Sequence, residues 1–367
     1  MWAGFAAYLG VLAAAPSLGR RFVWGTIVVL LAAFAVAPVL LSHDVYSYVD
    51  YARLGVRHGL DPYVHPPWAA ASDPAFPHVT WIDARSAYGP LFTLATYPLA
   101  WLPVDAAVAV LKAVAALSVL GIALLVSRMA AWRGADPLRA AAFVALNPLV
   151  LVHVVGGAHN DALTMLLVTF SVAALLSARE LSAGVTLIAA IATKASAAFL
   201  APFAFLGTYR RSTGLKYAYM EGNRPIGRLL AGAVGAAVAV GVGAWVAFGW
   251  DWLHGFELAG ENQNRTSHLS IPTTFARISG LGPGGCRLAA AILFAAFVAY
   301  LLRWTWRGGD WVRAAAWTAF ALLLATAWLL PWYLLWPLPL VAISRDRPLQ
   351  LLTLGLTAYQ LGARIPL

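Results

Sequence analysis

The chain has 367 residues, 61% of them hydrophobic and only 11% charged, with a mean hydropathy of +0.75. A soluble domain carries about 25% charged residues, so this composition excludes a soluble globular protein and implies a polytopic membrane protein. The single cysteine, Cys286, excludes an internal disulfide and a multi-cysteine metal site; the net charge of +10, which in a soluble chain would point to nucleic acid, reads here as topology, because basic residues mark cytoplasmic loops.

Alternating ten-residue blocks are absent, so a barrel is excluded and the spans are read as helices. Residues 1–16 form the first candidate span; with no basic stretch ahead of the apolar run, it is not read as a secretory signal. Arg20 and Arg21 precede a second span, 22–41. The first large external loop, 42–87, opens with SHDVYSYVDYARLGVRHGLDPY, an unusually polar stretch for this chain. Its residues 45–58 have helical spacing and are predicted to lie as an amphipathic helix on the membrane surface. Asp61-Pro62 ends that helix, Asp50 is expected to pair with Arg53 at i+3, and the proline-rich stretch 62–77 is loop.

Residues 88–102 are apolar but short and are read as interfacial or re-entrant. Spans at 104–128, 139–153 and 161–178 follow. Residues 181–206 start and end beside basic loops, so they are predicted to go up and back as two short helices with Lys194 at the apex. Irregular backbone at membrane depth is tolerated where it lines a cavity, which places a cavity near Lys194. Further spans fall at 227–249, 287–303, 312–330, 332–344 and 348–364, with a second external loop at 250–286. The arginine clusters at 20–21, 128–139, 179, 210–228, 303–313 and 345–347 are placed inside. All eight histidines then fall in or beside outside segments. The whole chain, 1–367, reads as one integral domain of all-α polytopic type.

Four constellations carry chemistry. Asp44 sits just beyond the second span, with His43, Tyr46 and Tyr48 close by; a carboxylate there can serve as a general base or simply solvate a helix start. The segment GGAHNDAL supplies His159, Asn160 and Asp161. Asp161 could N-cap the following helix, whereas His159 and Asn160 suit hydroxyl-rich ligands. Lys194 lies between apolar helices, a costly place for an ammonium; with no nearby acid evident in sequence, a phosphate explains it better than an ion pair, and snorkelling is the plainer reading. In the loop after residue 250, Glu257, Glu261, Asn262, Asn264, Arg265 and His268 are polar, and Arg265 is a second candidate anion contact. Asn264-Arg265-Thr266 matches a glycosylation sequon, given little weight. Trp332, Tyr333 and Trp336 form an interfacial aromatic belt by default, or a surface on which sugar or prenyl groups stack. His43 with Asp44, or His159 with Asp161, could ligate a divalent cation, but neither has zinc-like spacing, so no metal residue is assigned and no cofactor is required.

The order of motifs is distinctive: HDVYSYVDYARLGVRHGLDPY, AYGPLF at 87–92, NPLVLVHVVGGAHNDAL at 147–163, Thr193-Lys194, and WYLLWPLPL at 332–340. This order resembles the GT-C glycosyltransferases that use polyprenyl-phosphate sugars, most closely the bacterial polyprenyl-phosphomannose-dependent α-1,6-mannosyltransferases of lipoglycan synthesis. The resemblance implies a GT-C bundle of about ten to twelve transmembrane helices with surface helices in the first external loop. It implies an inverting transfer, on the outer face of the membrane, of a sugar, mannose first, from a polyprenyl-phosphate donor to a glycan or glycolipid hydroxyl. The family's catalytic acid maps onto Asp44. Lys194 and Arg265 would steady the donor phosphate. Sugar or acceptor contacts would come from His43, Tyr46, Tyr88 and His159, with Asn160, Asp161, His268, Trp332 and Tyr333 beside them. A transporter or flippase of lipid-linked sugars, or a transferase of glucose or arabinose, is the alternative. A transporter predicts intramembrane acids and inverted repeats; Lys112 is the main mid-span charge and no repeat is evident.

Overall fold

The computed structural model describes residues 1–214, 225–261 and 265–362. Among them the regular structure is entirely helical. The α-helices are α1 (Trp2–Ala14), α2 (Arg20–Val36), α3 (Asp44–Arg57), α4 (Pro90–Thr96), α5 (Val104–Trp132), α6 (Pro137–Ala145), α7 (Asp161–Leu176), α8 (Glu180–Thr193), α9 (Ala201–Gly214), α10 (Pro225–Phe248), α11 (His254–Glu261), α12 (Ile271–Ser279), α13 (Pro283–Trp306), α14 (Trp311–Ala325), α15 (Leu338–Ile343) and α16 (Arg347–Gly362). Several begin with proline in the first turn, where its missing N–H costs nothing. Asp136 and Asp310 cap α6 and α14 by accepting from backbone N–H groups in the first turn.

Three helices, α5, α10 and α13, are long and apolar enough to cross a membrane by length and composition. α1, α7, α8, α14 and the stretch Pro331–Ile343 are shorter and apolar. Two expected spans are broken rather than continuous. The 139–153 stretch ends as an α-helix at Ala145 and resumes as a π-helical turn, Val150–Val155. The 332–344 stretch divides into a 3-10 turn, Pro331–Leu335, and α15, with Pro337 and Pro339 at the join. Both breaks lie beside motif residues, where a cavity can accept irregular backbone.

The buried core runs through α2, α5, α6, α7, α8 and α14. α8 lies against both α7 and α10. Its approach to α10 is glycine-dependent: a Cβ at Gly184 would meet the Leu229 carbonyl oxygen at 2.2 Å, and one at Gly232 would meet that of Leu181 at 2.1 Å. Such small-residue contacts let helix backbones touch in a membrane bundle.

The end of α2 explains Lys112. Its ammonium donates to the Ala37 carbonyl and, at 3.0 Å, to that of Pro38. These are carbonyls that the helix end leaves unsatisfied. A lysine in mid-span therefore closes a helix terminus just ahead of Asp44.

Residues 44–57 are helical as expected, but α3 is enclosed by protein rather than exposed along one face. Val45 and every residue from Ser47 to Leu54 are buried. The apolar face packs on α4 and α5, and the chain between α3 and α4 covers the remainder. Arg53 is paired with Asp73 at 2.7 Å rather than with Asp50. Its guanidinium also donates to the Ala100 and Leu102 carbonyls, and His58 reaches the other Asp73 oxygen at 2.8 Å. Burial would raise the Asp73 carboxyl, but hydrogen bonds from Arg53, the Ala75 N–H and His58, with the Arg53 charge, hold it below its usual range. Asp50 remains buried with no hydrogen-bond partner on either oxygen among the described residues.

Candidate active site

A cavity of about 1260 Å³ opens between the segment 42–87, the Lys194 break, α13 and the 326–336 stretch. Asp44, Tyr88, His159, Lys194, Arg265, Trp332 and Tyr333 all line it. Five of the residues expected to contact sugar do not: His43, Tyr46, Asn160, Asp161 and His268. His43 packs edge-on to Tyr46, and Tyr46 stacks on His78, away from the cavity wall. His268 is not part of the wall, and its backbone carbonyl accepts from the Thr274 hydroxyl. Asn160 is buried behind the wall, with no partner for either amide atom among the described residues. Asn262 and Asn264 lie outside the described residues.

Asp44 is the first residue of α3, and two ties set its position. The Leu40 N–H donates to the Gly156 carbonyl at 3.1 Å, joining the end of α2 to the GGAHND turn. The Asp44 N–H meets Ser42 Oγ at 3.4 Å. One helical turn on, Ser47, Tyr48 and Tyr51 follow Asp44 on the cavity side. Trp81 Nε1 donates to Asp44 Oδ1 at 3.0 Å. The Ser42 hydroxyl is a second donor to the carboxyl, and the side chain keeps 17% exposure at the cavity wall. Burial raises the carboxyl above its ordinary pKa; the Trp81 N–H and the Lys194 charge oppose that rise, and the Asp161 charge adds to it. The result is a stronger base than a solvated aspartate.

His159 Nδ1 lies 3.7 Å from Asp44 Oδ2, too far for a hydrogen bond. Burial and the Lys194 charge push the imidazole well below its usual pKa, so it is neutral and the proximity is not an ion pair. Its ring stacks on Trp332 with centroids 3.7 Å apart. Neither ring nitrogen has a partner among the described residues.

Lys194 occupies the break between α8 and the 3-10 turn Ala195–Leu200, at the apex expected for it. It is not a lone cation. Nζ donates to both Asp161 oxygens, at 2.9 and 2.8 Å. Trp336 Nε1 donates to the same carboxylate at 2.6 Å. Asp161 is fully buried, and its side chain does not cap α7; it is neither an N-cap nor a cavity-wall sugar contact but the counter-ion of Lys194. The ammonium also sits 5.1 Å above the Tyr333 ring and 5.7 Å from that of Trp336, a cation–π setting. An ammonium has three N–H donors. Two serve Asp161, which leaves one for the cavity.

The AYGPLF motif is anchored to this break. Gly89 N–H donates to the Thr193 carbonyl at 3.1 Å, and a Cβ at Gly89 would lie 2.1 Å from the Ala192 oxygen. Glycine is therefore required for the loop to reach the end of α8. It sets Tyr88, edge-on to Tyr48 at 4.9 Å, against the cavity.

Several wall residues have no counterpart in the sequence reading. Trp81 and Arg85 come from the segment 42–87, Arg287 from α13, and Trp328 from the stretch before the WYLLWPLPL motif. Trp336 was expected in an aromatic belt or a stacking surface, and not as a donor to Asp161. Arg265 lies 4.8 Å over the Trp81 ring and 5.3 Å from that of Trp328. It is thereby linked through Trp81 to the carboxylate of Asp44. Arg85, Lys194, Arg265 and Arg287 bring positive charge to the wall, against the carboxyls of Asp44, Asp83 and Glu261. Among the described residues, no group of three or more histidine, cysteine or acidic side chains is arranged to hold a metal ion.

A family model described as the N-terminal domain of α-(1→6)-mannopyranosyltransferase matches residues 1–210. The chain is similar to α-(1→6)-mannopyranosyltransferase A of Mycobacterium tuberculosis, at 31% identity over 361 residues, covering 89% of this chain and 67% of the relative. It is also similar to α-(1→6)-mannopyranosyltransferase A of Corynebacterium glutamicum, at 30% identity over 283 residues, covering 72% of this chain and 56% of that one. A second M. tuberculosis α-(1→6)-mannopyranosyltransferase is 34% identical over 140 residues, 35% of this chain and 23% of the relative.

Proposed function

The chain belongs to the α-(1→6)-mannopyranosyltransferase family, and from that premise we propose that it transfers mannose from a polyprenyl-phosphate donor to a hydroxyl of a glycan or glycolipid acceptor. The reaction takes place on the outer face of the membrane and inverts the anomeric centre. The acceptor oxygen attacks the anomeric carbon from the face opposite the phosphate. The bond to the phosphate oxygen breaks, and the lipid phosphate leaves with the electron pair. The Asp44 carboxylate takes the acceptor proton as the new glycosidic bond forms.

The observation that carries this reading is the partly exposed carboxyl of Asp44, in a cavity shared with Lys194 and further arginines. A phosphate leaving group needs little protonation, but its charge must be held. The third N–H of Lys194 is available for that purpose, with Asp161 fixing the other two. Arg265, held beside the Trp81 and Trp328 rings, supplies a planar donor set suited to phosphate oxygens. His159, Tyr88, Trp332 and Tyr333 offer the polar edges and ring faces that a hexose uses.

The test is reconstitution of the purified chain in vesicles with a panel of polyprenyl-phosphate mannose, glucose and arabinose donors, followed by linkage analysis of the product. Mannosyl transfer giving an α-1,6 linkage is expected. Movement of the lipid-linked sugar across the bilayer with no new glycosidic bond would replace this reading with a transporter.

A further inference from the structure

A second cavity, of about 640 Å³, lies at the other end of the bundle. α5 begins beside the segment 42–87, where Leu102 accepts from Arg53, and ends at Trp132. Its 29 residues span about 43 Å at 1.5 Å per residue. The second cavity takes its polar wall from the turn that follows, Gly134 to Arg139, and from the turn between α15 and α16. It therefore shares no residue with the Asp44 site.

Three arginines converge there: Arg139, Arg345 and Arg347. One carboxylate, Asp136, accompanies them, and it is engaged in capping α6 through the Arg139 N–H. Arg139 Nε donates to the Leu12 carbonyl at 3.0 Å, which fixes the guanidinium against α1. Among the described residues none of the three arginines forms an ion pair. Arg345 holds a left-handed backbone with φ of 59°, a strained position for a side chain with a Cβ. The neighbouring Asp346 accounts for that turn: it is buried and accepts from Arg313, from Trp317 and from the Leu349 N–H. The turn is thus built around Asp346, and Arg345 is left projecting with its charge uncompensated.

Below the arginines the wall changes character. Leu9 and Leu12 of α1, Phe143 of α6, and Leu351 and Leu354 of α16 form it. Leu9 and Leu351 are exposed at 38% and 59%, so the apolar side is open along the flank of the bundle. A cationic rim above an apolar, laterally open groove matches one ligand chemistry: an anionic phosphate headgroup carrying a hydrocarbon chain.

We propose that this cavity is a binding site for an anionic phospholipid, whose phosphate is held by Arg139, Arg345 and Arg347 and whose acyl chain lies between α1 and α16. A basic loop that only sets topology would need neither the concavity nor the open hydrocarbon wall. The site is independent of the transfer chemistry proposed above, and binding rather than turnover tests it.

The full chain in nanodiscs or mild detergent is titrated with phosphatidylglycerol, with phosphatidylcholine and with inorganic phosphate, read by native mass spectrometry and by melting temperature. Retained phosphatidylglycerol adducts that raise the melting temperature are expected. Each exposed arginine removed should weaken binding about fivefold, so Arg345→Ala with Arg347→Ala should lose most of the adduct. The doubly lysine-substituted chain should keep part of it, which separates lost charge from lost folding. Equal binding of phosphatidylcholine, equal stabilisation by inorganic phosphate, or adducts unchanged in the double alanine variant would each overturn the proposal.

Discussion

Replacing Asp44 by asparagine is the sharpest perturbation of the catalytic reading, because it removes basicity and little else. Asparagine has nearly the same volume, and its carbonyl oxygen can still accept from Trp81 Nε1, the 3.0 Å contact that orients the side chain. The other carboxyl oxygen becomes an amide nitrogen that cannot take a proton. Loss of a general base costs about 10²- to 10⁴-fold in rate, or about 2.7 to 5.4 kcal/mol in barrier height. Donor binding should change little, since the groups assigned to phosphate are Lys194 and Arg265, so the loss should fall on kcat rather than KM. Folding should not suffer. Burial raises the pKa of Asp44, so its ionised form is a burden that the native state carries above the carboxylate range, and removing that charge should leave the melting temperature unchanged or slightly higher. The assay is mannosyl transfer from a polyprenyl-phosphate donor by reconstituted protein, with thermal unfolding alongside. A folded Asp44→Asn protein retaining more than about a tenth of wild-type kcat would lie outside the range for a lost base and would refute the assignment.

Asp161→Asn leaves the Lys194 ammonium without its carboxylate. Removing one member of a buried pair costs about 3–5 kcal/mol, and with Lys194 still 18% exposed the lower end is expected; a melting temperature equal to wild type would show that the pair is not structural. Trp81→Phe removes the N–H that opposes the rise in the Asp44 pKa. Because the base must be deprotonated, activity falls as pH drops, and this variant's acid limb should move to higher pH; an unmoved kcat/KM profile would break the link between Trp81 and the base. Asp50 is pushed up to about 7, by burial first and then by the Asp73 charge, with Arg53 opposing. Its folded value exceeds the ordinary 3.8, so its contribution to stability is complete below about pH 4 and is lost as pH rises through about 7. Asp50→Asn should flatten that decline in a pH series of unfolding measurements, and an unaltered slope would count against a buried, unpaired carboxyl.

Helical content and the gathering of polar groups at one end were legible because both are written locally. Apolar runs, proline and glycine positions, and the run of histidines need no knowledge of tertiary contacts. The break at Lys194 was legible for the same reason, as a short helix pair between basic loops. The partners were not. Asp161 lies 33 positions from Lys194, and Asp73 lies 20 from Arg53; nothing in the intervening sequence marks either pairing. The exposed polar face expected of α3 is absent for a related reason. Periodicity identifies its apolar face but says nothing of what covers the other. Here the loop from 60 to 86 folds over it, and the Arg53–Asp73 pair satisfies the charge that would otherwise require water. Trp81 was missed because a tryptophan in a loop carries no signal until its N–H is seen to meet a carboxylate.

The Lys194–Asp161 pair bears on the proposed chemistry in a way that a lone lysine would not. An uncompensated ammonium near Asp44 would favour the ionised carboxylate and lower its basicity, since Lys194 already opposes the rise in the Asp44 pKa. Asp161 acts in the opposite sense on the same group. The buried carboxylate therefore cancels much of the lysine's field at the base, while leaving one N–H directed to the cavity. A donor phosphate entering beside Lys194 would add further negative charge near Asp44 and strengthen it as a base at the moment the acceptor is bound. On this argument Asp161→Asn should do two separable things. It should loosen Lys194, seen as lower stability, and it should weaken the base, seen as a lower kcat in protein that remains folded.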